Sequence, residues 1–152
     1  CMMIEIKMIV YFDSGVLVKL YVKEKHSETV IDIISREEQI ILTQLHELEI
    51  KNALRAQLGR GIISDKECKK ALSAFDDDIN TNRLNLISPN WQEVFIKGEY
   101  LSKQYTQDTL SRALDIAHVA IALHYSCKTF ITADKRQATL AEKNELSVRL
   151  IA

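Results

Sequence analysis

The chain is poor in the residues that make turns: its 152 residues include 4 Gly and 1 Pro. An all-β sandwich needs turn chemistry at short, regular intervals, so the scarcity argues against one and for long helices joined by short connections. An excess of charge of one sign is also lacking, since 20 Lys+Arg stand against 21 Asp+Glu for a formal net charge of -1. That excludes the global basic field of many nucleic-acid binders while leaving room for a local patch. Cysteine is scarce and unpaired in pattern: Cys1, Cys68 and Cys127 are odd in number, far apart and without C-x-x-C spacing. Neither a disulfide framework nor a thiolate zinc site is suggested, and a reducing cytoplasm fits best. Long apolar runs are missing as well. The longest charge-free stretch, Ile116 to Cys127, is too short to span a bilayer, and no basic-then-apolar leader opens the chain. A soluble cytoplasmic protein is expected, with no weight given to Cys1 standing before Met2 and Met3.

What is present is 47% hydrophobic residues over a length that suits one domain spanning residues 1–152, which rules out disorder as the main state. Short β-rich runs alternate with helical patterns. Met8 to Phe12 reads as a buried strand cut off by Asp13-Ser14-Gly15, followed by helical spacing over Val16 to Val22 and over Ser27 to Ser35. Gln39 to Thr43 is a second strand, and Gln44 to Leu58 a helix ended by Gly59. Ser64 and Glu67 form a capping box for a helix to Ile79. Leu84 to Ile87 is a short strand, Ser88-Pro89-Asn90 starts a helix to Tyr105, and Ala113 to Tyr125 is an almost wholly apolar helix. A strand at Lys128 to Thr132, a helix from Lys135 and a strand at Ser147 to Ile151 follow. Strands apolar on both faces and separated by helices imply a parallel sheet wrapped on both sides, an α/β fold. In such sheets ligands bind beyond the carboxyl ends of the strands.

Four carboxylates stand in unusual places. Asp13 and Asp134 directly follow strands, where capping of the next helix would account for either one alone. Asp115 lies in a segment expected to be buried, so it needs a partner, and Arg112 and His118 lie at helical spacing from it. Glu47 has Lys51 four residues on, the order of an exposed pair, whereas Glu49 lies on the line Leu45, Glu49, Ala53, Ala56 that reads as core-facing. The run Asp76-Asp77-Asp78 cannot converge on one ion, because consecutive helical residues point about 100 degrees apart, and reads as a solvated helix end. Asp13, Glu49, Asp115 and Asp134 could therefore share one pocket. Crowded carboxylates repel unless a divalent cation neutralises them, and an all-oxygen set suits Mg2+ or Mn2+ rather than zinc.

These residues resemble the PIN domains, and among them the VapC toxins of toxin-antitoxin pairs. Tyr11 to Tyr21 is similar to the family's opening strand, metal-binding Asp and following Ser. Leu45 to Leu54 is similar to its Glu helix, with the Glu at Glu49. Arg112 to Ala120 resembles an R-x-x-D-x-x-H-x-A helix, and Phe130 to Gln137 a T-x-D strand end. Two positions depart from the pattern: Glu145, where the family often has Gly, and Gln137, where some members carry a further acid. The resemblance implies a PIN-like α/β/α sandwich with a central, mainly parallel sheet of four to five strands. It implies a Mg2+- or Mn2+-dependent endoribonuclease, normally a homodimer, held inactive by a small antitoxin. Asp13, Asp115 and Asp134 would then hold metal directly or through water, and Glu49 would bind through water or help activate the attacking hydroxide. Ser14 and Thr132 would orient the carboxylates, although capping and strand-end roles explain them equally well. Arg112, Lys135 and Arg136, with Lys19 less favoured, are the cations placed to meet RNA phosphates. His118 reads as a hydrogen-bonded core residue, and His26, His46 and His124 show no ligand spacing.

Other readings are weaker. A haloacid-dehalogenase-like phosphatase would need an acid where Gly15 stands, and a serine hydrolase at Ser14 lacks its G-x-S-x-G elbow. A solitary RNA-processing nuclease, or a non-catalytic scaffold of the same fold, remains as the alternative; four costly acids argue against the scaffold.

Overall fold

The computed structural model describes residues 9–37 and 39–152. Strands and helices alternate in the order β1 (Val10–Phe12), α1 (Ser14–Val18), α2 (Ser27–Ser35), β2 (Ile40–Leu42), α3 (Gln44–Gly59), α4 (Asp65–Asn80), β3 (Leu84–Leu86), α5 (Trp91–Thr109), α6 (Ala113–His124), β4 (Thr129–Thr132), α7 (Lys135–Lys143) and β5 (Ser147–Leu150). Met8, expected in the first strand, lies outside the described residues.

Among the described residues, all strand pairs are parallel. They form a ladder β1-β4-β5 and a ladder β2-β3, with β2 beside β1. The join between β1 and β2 uses a side chain. His46 Nδ1 accepts from the Thr43 N–H at 3.1 Å, which puts the ring proton on Nε2, and Nε2 donates to the Phe12 carbonyl at 2.9 Å. The α/β sandwich expected from the sequence is present, its strands divided between these two ladders.

Period-2 alternation builds the two core layers. Phe12 and Ile131 join Val16, Leu17, Leu42, Ile50, Leu54 and Phe75 on one face, whereas Tyr11 and Phe130 join Leu101, Ile116, Val119, Ile121 and Leu140 on the other. Helices α1 to α4 thus cover one face and α5 to α7 the other. Phe12 pairs with Ile131 and Thr132 with Leu150, so β1 and β4 end together and deliver Asp13 and Asp134 to one edge.

Local details depart from expectation. The helix expected over Val16 to Val22 is already over at Val18, and the N–H groups of Lys19, Leu20 and Tyr21 bond three residues back, a tighter winding that leads into the loop. Helix α3 buries His46, Ile50 and Leu54, so the line containing Glu49 runs along the margin of the buried face and not down its centre. Lys51 pairs with Asp76 at 3.1 Å instead of with Glu47. Asp78, expected to be solvated, accepts a 2.7 Å hydrogen bond from the Tyr21 hydroxyl. Helix α6 is buried from Ile116 to Ala122, but Leu114 in its first turn is exposed, which leaves Asp115 at the rim.

Candidate functional site

Asp13 occupies the N-cap position of α1, where its side chain makes no capping hydrogen bond. Its Oδ1 instead faces Gln137 Nε2 at 3.4 Å and His118 Nε2 at 3.6 Å. Asp134 does cap its helix: Oδ1 accepts from the N–H groups of Arg136 and Gln137 at 2.8 and 3.0 Å. Its other oxygen, Oδ2, lies 3.6 Å from Arg112, whose Nε is also 3.5 Å from Asp115 Oδ2. Of the two candidate partners of Asp115 at helical spacing, Arg112 makes the contact, and its guanidinium spans two carboxylates. Glu49 Oε1 accepts from Ser14 Oγ at 3.0 Å and is also bonded to His118 Nε2.

The electrostatics follow from this crowding. Burial pushes Asp13 above the ordinary carboxylate range, and the nearby Glu49 charge adds to that; His118 and the Gln137 amide only partly oppose it. Burial likewise raises Asp115, with the charges of Asp134 and Asp13 adding to it. Burial would raise Glu49 too, but the bonds from His118 and Ser14 outweigh it and hold this carboxyl low. His118 shows the reverse: burial would depress it, yet Glu49 and Asp13 hold it above its usual value. The Glu49–His118 contact thus lowers the carboxyl and raises the imidazole together.

Four sequence positions thus meet at one edge: Asp13 from β1, Glu49 from α3, Asp115 from α6 and Asp134 from β4. Thr132 does not touch a carboxylate. Its hydroxyl donates to Gln137 Oε1 at 2.6 Å and accepts from the Asp134 N–H at 3.0 Å, so it acts on the pocket through those two residues. Gln137, fully buried, also donates to the Asp115 carbonyl at 3.2 Å, tying β1, β4, α6 and α7 together. Lys19 turns away to Glu24 and the Lys25 carbonyl. Lys135 and Arg136 are at the start of α7, with Arg136 exposed. Sequence patterns mark Gln137 as a departure and His118 as a core residue, but give no sign that both reach Asp13. A contact such as Gln137 to Asp13, across 124 residues, leaves no trace in local periodicity.

Among the described residues, no three His, Cys, Asp or Glu side chains stand as a ready-made cage for a metal ion. The oxygens face Arg112, His118, Ser14 and backbone N–H groups instead. The donor chemistry nonetheless fits a hard divalent cation: carboxylate oxygens, two of them on groups whose pKa values are raised first by burial and then by neighbouring acids.

A family model described as the PIN domain matches residues 10–143. The chain belongs to the PIN domain family. The match spans every element but β5, and with it all four carboxylates. No curated protein matches by sequence. Three solved structures share the PIN fold at low identity. The VapBC2 complex of Rickettsia felis, bound to a DNA fragment from its promoter, superposes with a TM-score of 0.65 at 14% identity, covering 94% of this chain and 98% of that one. FitAcB of Neisseria gonorrhoeae gives 0.61 at 14% identity, with 92% and 96% covered. A toxin-antitoxin complex of Klebsiella pneumoniae gives 0.55 at 15% identity, with 85% and 88% covered.

Proposed function

We propose that this PIN domain is a Mg2+- or Mn2+-dependent endoribonuclease acting as the toxin of a toxin-antitoxin pair. The observation that carries the reading is the crowding of Asp13, Glu49, Asp115 and Asp134 at the carboxyl edge of β1 and β4, with the raised pKa values of Asp13 and Asp115 marking charge that a divalent cation would neutralise. Asp13, Asp115 and Asp134 would hold the ion directly or through water, with Glu49 beside them. The ion would supply Lewis-acid chemistry, lowering the pKa of a water and stabilising charge on the attacked phosphodiester.

The chain's own groups do the rest. Glu49, whose Oε1 is held by Ser14 and His118, would accept the proton of an attacking water. Ser14 Oγ fixes the Glu49 oxygen it bonds. Thr132, through Gln137 and the Asp134 N–H, fixes the strand end that carries Asp134. Arg112, exposed along most of its side chain, can leave the two acids for a substrate phosphate, and Lys135 and Arg136 extend that basic edge along α7. The partners under this reading are RNA, a small cognate antitoxin and a second copy of the chain; support for the antitoxin comes from a neighbour of the same fold that is itself a toxin-antitoxin complex.

The test is cleavage of single-stranded RNA in Mn2+. Wild type should cut, EDTA should stop it, and Asp13→Asn or Asp115→Asn should each reduce the rate by about a hundredfold or more with the fold intact, in line with loss of a metal-held charge. Cutting that persists in EDTA, or that survives both substitutions, sinks the reading.

A further inference from the structure

Directly beneath the carboxylates lies a layer of four rings, Tyr11, His46, His118 and Phe130, each fully buried. Tyr11 stacks on Phe130 with centroids 5.2 Å apart and planes within 11°. The His46 and His118 rings meet edge to face at 4.7 Å. Packing of this quality fixes ring positions to within a rotamer, so polar atoms on these rings have defined addresses.

The two histidines use their nitrogens differently. His46 spends both on the scaffold, bonding the Phe12 carbonyl on one side and Thr43 on the other. It is the satisfied core histidine. His118 faces the pocket: Nε2 is bonded to Glu49 Oε1, with Ser14 Oγ at 3.3 Å and Asp13 Oδ1 at 3.6 Å. Its other nitrogen, Nδ1, meets the Tyr11 hydroxyl at 2.7 Å. Tyr11 is on β1 two residues before Asp13, and β alternation sends Asp13 to the same side of the strand as Tyr11. One imidazole therefore links a strand hydroxyl to two carboxylates delivered by β1 and α3.

We propose that Tyr11 and His118 form a positioning pair that sets Glu49 and Asp13 for the divalent ion: the Tyr11 hydroxyl fixes the tilt of the ring, and the ring's Nε2 fixes the two carboxylates. This rests on the metal-dependent reading above. It assigns a role to an oxygen that touches neither metal nor substrate. Groups that orient ligands from behind typically govern metal affinity by 10- to 100-fold, whereas a purely packing role would act on the fold alone.

The experiment is Mn2+ titration calorimetry on the protein without RNA, with urea unfolding of each variant alongside. Tyr11→Phe, which removes one oxygen and keeps the stack on Phe130, should weaken Mn2+ binding about three- to tenfold. His118→Leu should weaken it about tenfold or more. His118→Gln, which restores a donor near the Nε2 position, should recover most of that loss even where its stability matches the Leu variant. RNA cleavage should show the same split: a raised Mn2+ requirement for Tyr11→Phe, with the rate at saturating Mn2+ nearly retained. Should His118→Leu fail to fold, Tyr11→Phe and His118→Gln still decide the matter. Wild-type-like Mn2+ affinity in Tyr11→Phe, or equal affinity in the Leu and Gln variants, overturns the proposal and leaves the nuclease reading standing. Absence of Mn2+ binding by wild type overturns both.

Discussion

Asp13 carries the largest burden among the pocket's acids, because its side chain is only 15% exposed and its one basic neighbour among the described residues is His118, at 3.6 Å. Burial leads the causes that raise its pKa. A carboxyl raised on folding binds its proton more tightly in the native than in the unfolded state, so its ionised form opposes folding above the raised pKa. That opposition disappears as pH falls through it. Asp13→Asn, studied in EDTA, should therefore be more stable than wild type at neutral pH, by about 1 kcal/mol, the ordinary size of a single-site effect. The gap should close as the pH is lowered through the carboxylate range. An Asn variant less stable than wild type at neutral pH would show that Asp13 is held by its hydrogen bonds more than it is opposed by burial. The four acids are legible in the sequence because each breaks a local rule: a carboxylate at a strand end, or on a helix that otherwise turns apolar residues inward. Their supports are not. Tyr11, His118 and Gln137 satisfy local patterns of strand and helix, and the contacts of His118 and Gln137 to the acids reach across 69 to 124 residues.

At the scale of elements, a helix start marked by a capping box is more legible than a helix face or a helix end, since α1 stops at Val18 and α5 runs on to Thr109. Ser64 and Glu67 make the capping box expected of them. Helix α3, in contrast, has a different central stripe from the one its sequence suggests, because Ala53 and Ala56 are small enough to lie on a flank as readily as in a core, and His46 gives no apolar signal although it is fully buried. The departure at Glu145 has a structural counterpart. The N–H of Leu146 bonds the Ala141 carbonyl at 3.1 Å and that of Glu145 bonds the Glu142 carbonyl at 3.0 Å, the two bonds of a Schellman ending to α7, with Glu145 in its left-handed position at φ 65°. A side chain there meets its own backbone at a cost of about 1–2 kcal/mol, offset in part by the greater freedom glycine has when unfolded, about 0.5–1 kcal/mol. Glu145→Gly should thus raise stability by up to about 1 kcal/mol in urea unfolding without altering Mn2+ binding, since the side chain is exposed and away from the carboxylates. A loss of stability would mean that Glu145 makes a compensating contact in solution.

For the whole molecule, the decisive property is that the pocket has no local existence. Asp13 and Asp134 depend on β1 and β4 pairing in register, Glu49 on α3 docking through Ile50 and Leu54, and Asp115 on α6 burying Ile116 to Ala122. The unfolded chain scatters these acids from one end of the domain to the other, and binds a divalent ion no better than isolated carboxylates do. A ligand that binds only the native state stabilises it by RT ln(1 + [L]/Kd), about 2.7 kcal/mol at a hundred times Kd. For a chain of this size 1 kcal/mol corresponds to roughly 2–4 °C, so saturating Mn2+ should raise Tm by about 5–10 °C. The rise should grow with the logarithm of Mn2+ concentration above Kd and be erased by EDTA. Cys127 supplies an independent readout: burial pushes its thiol up to about 12, so at pH 8 it should resist alkylation until the fold opens. Mn2+ should slow that labelling in step with the rise in Tm. Asp115→Asn should abolish both effects of Mn2+. A Tm that ignores Mn2+ at millimolar concentration, with labelling equally indifferent, would leave the carboxylates as an electrostatic cost with no metal to offset it.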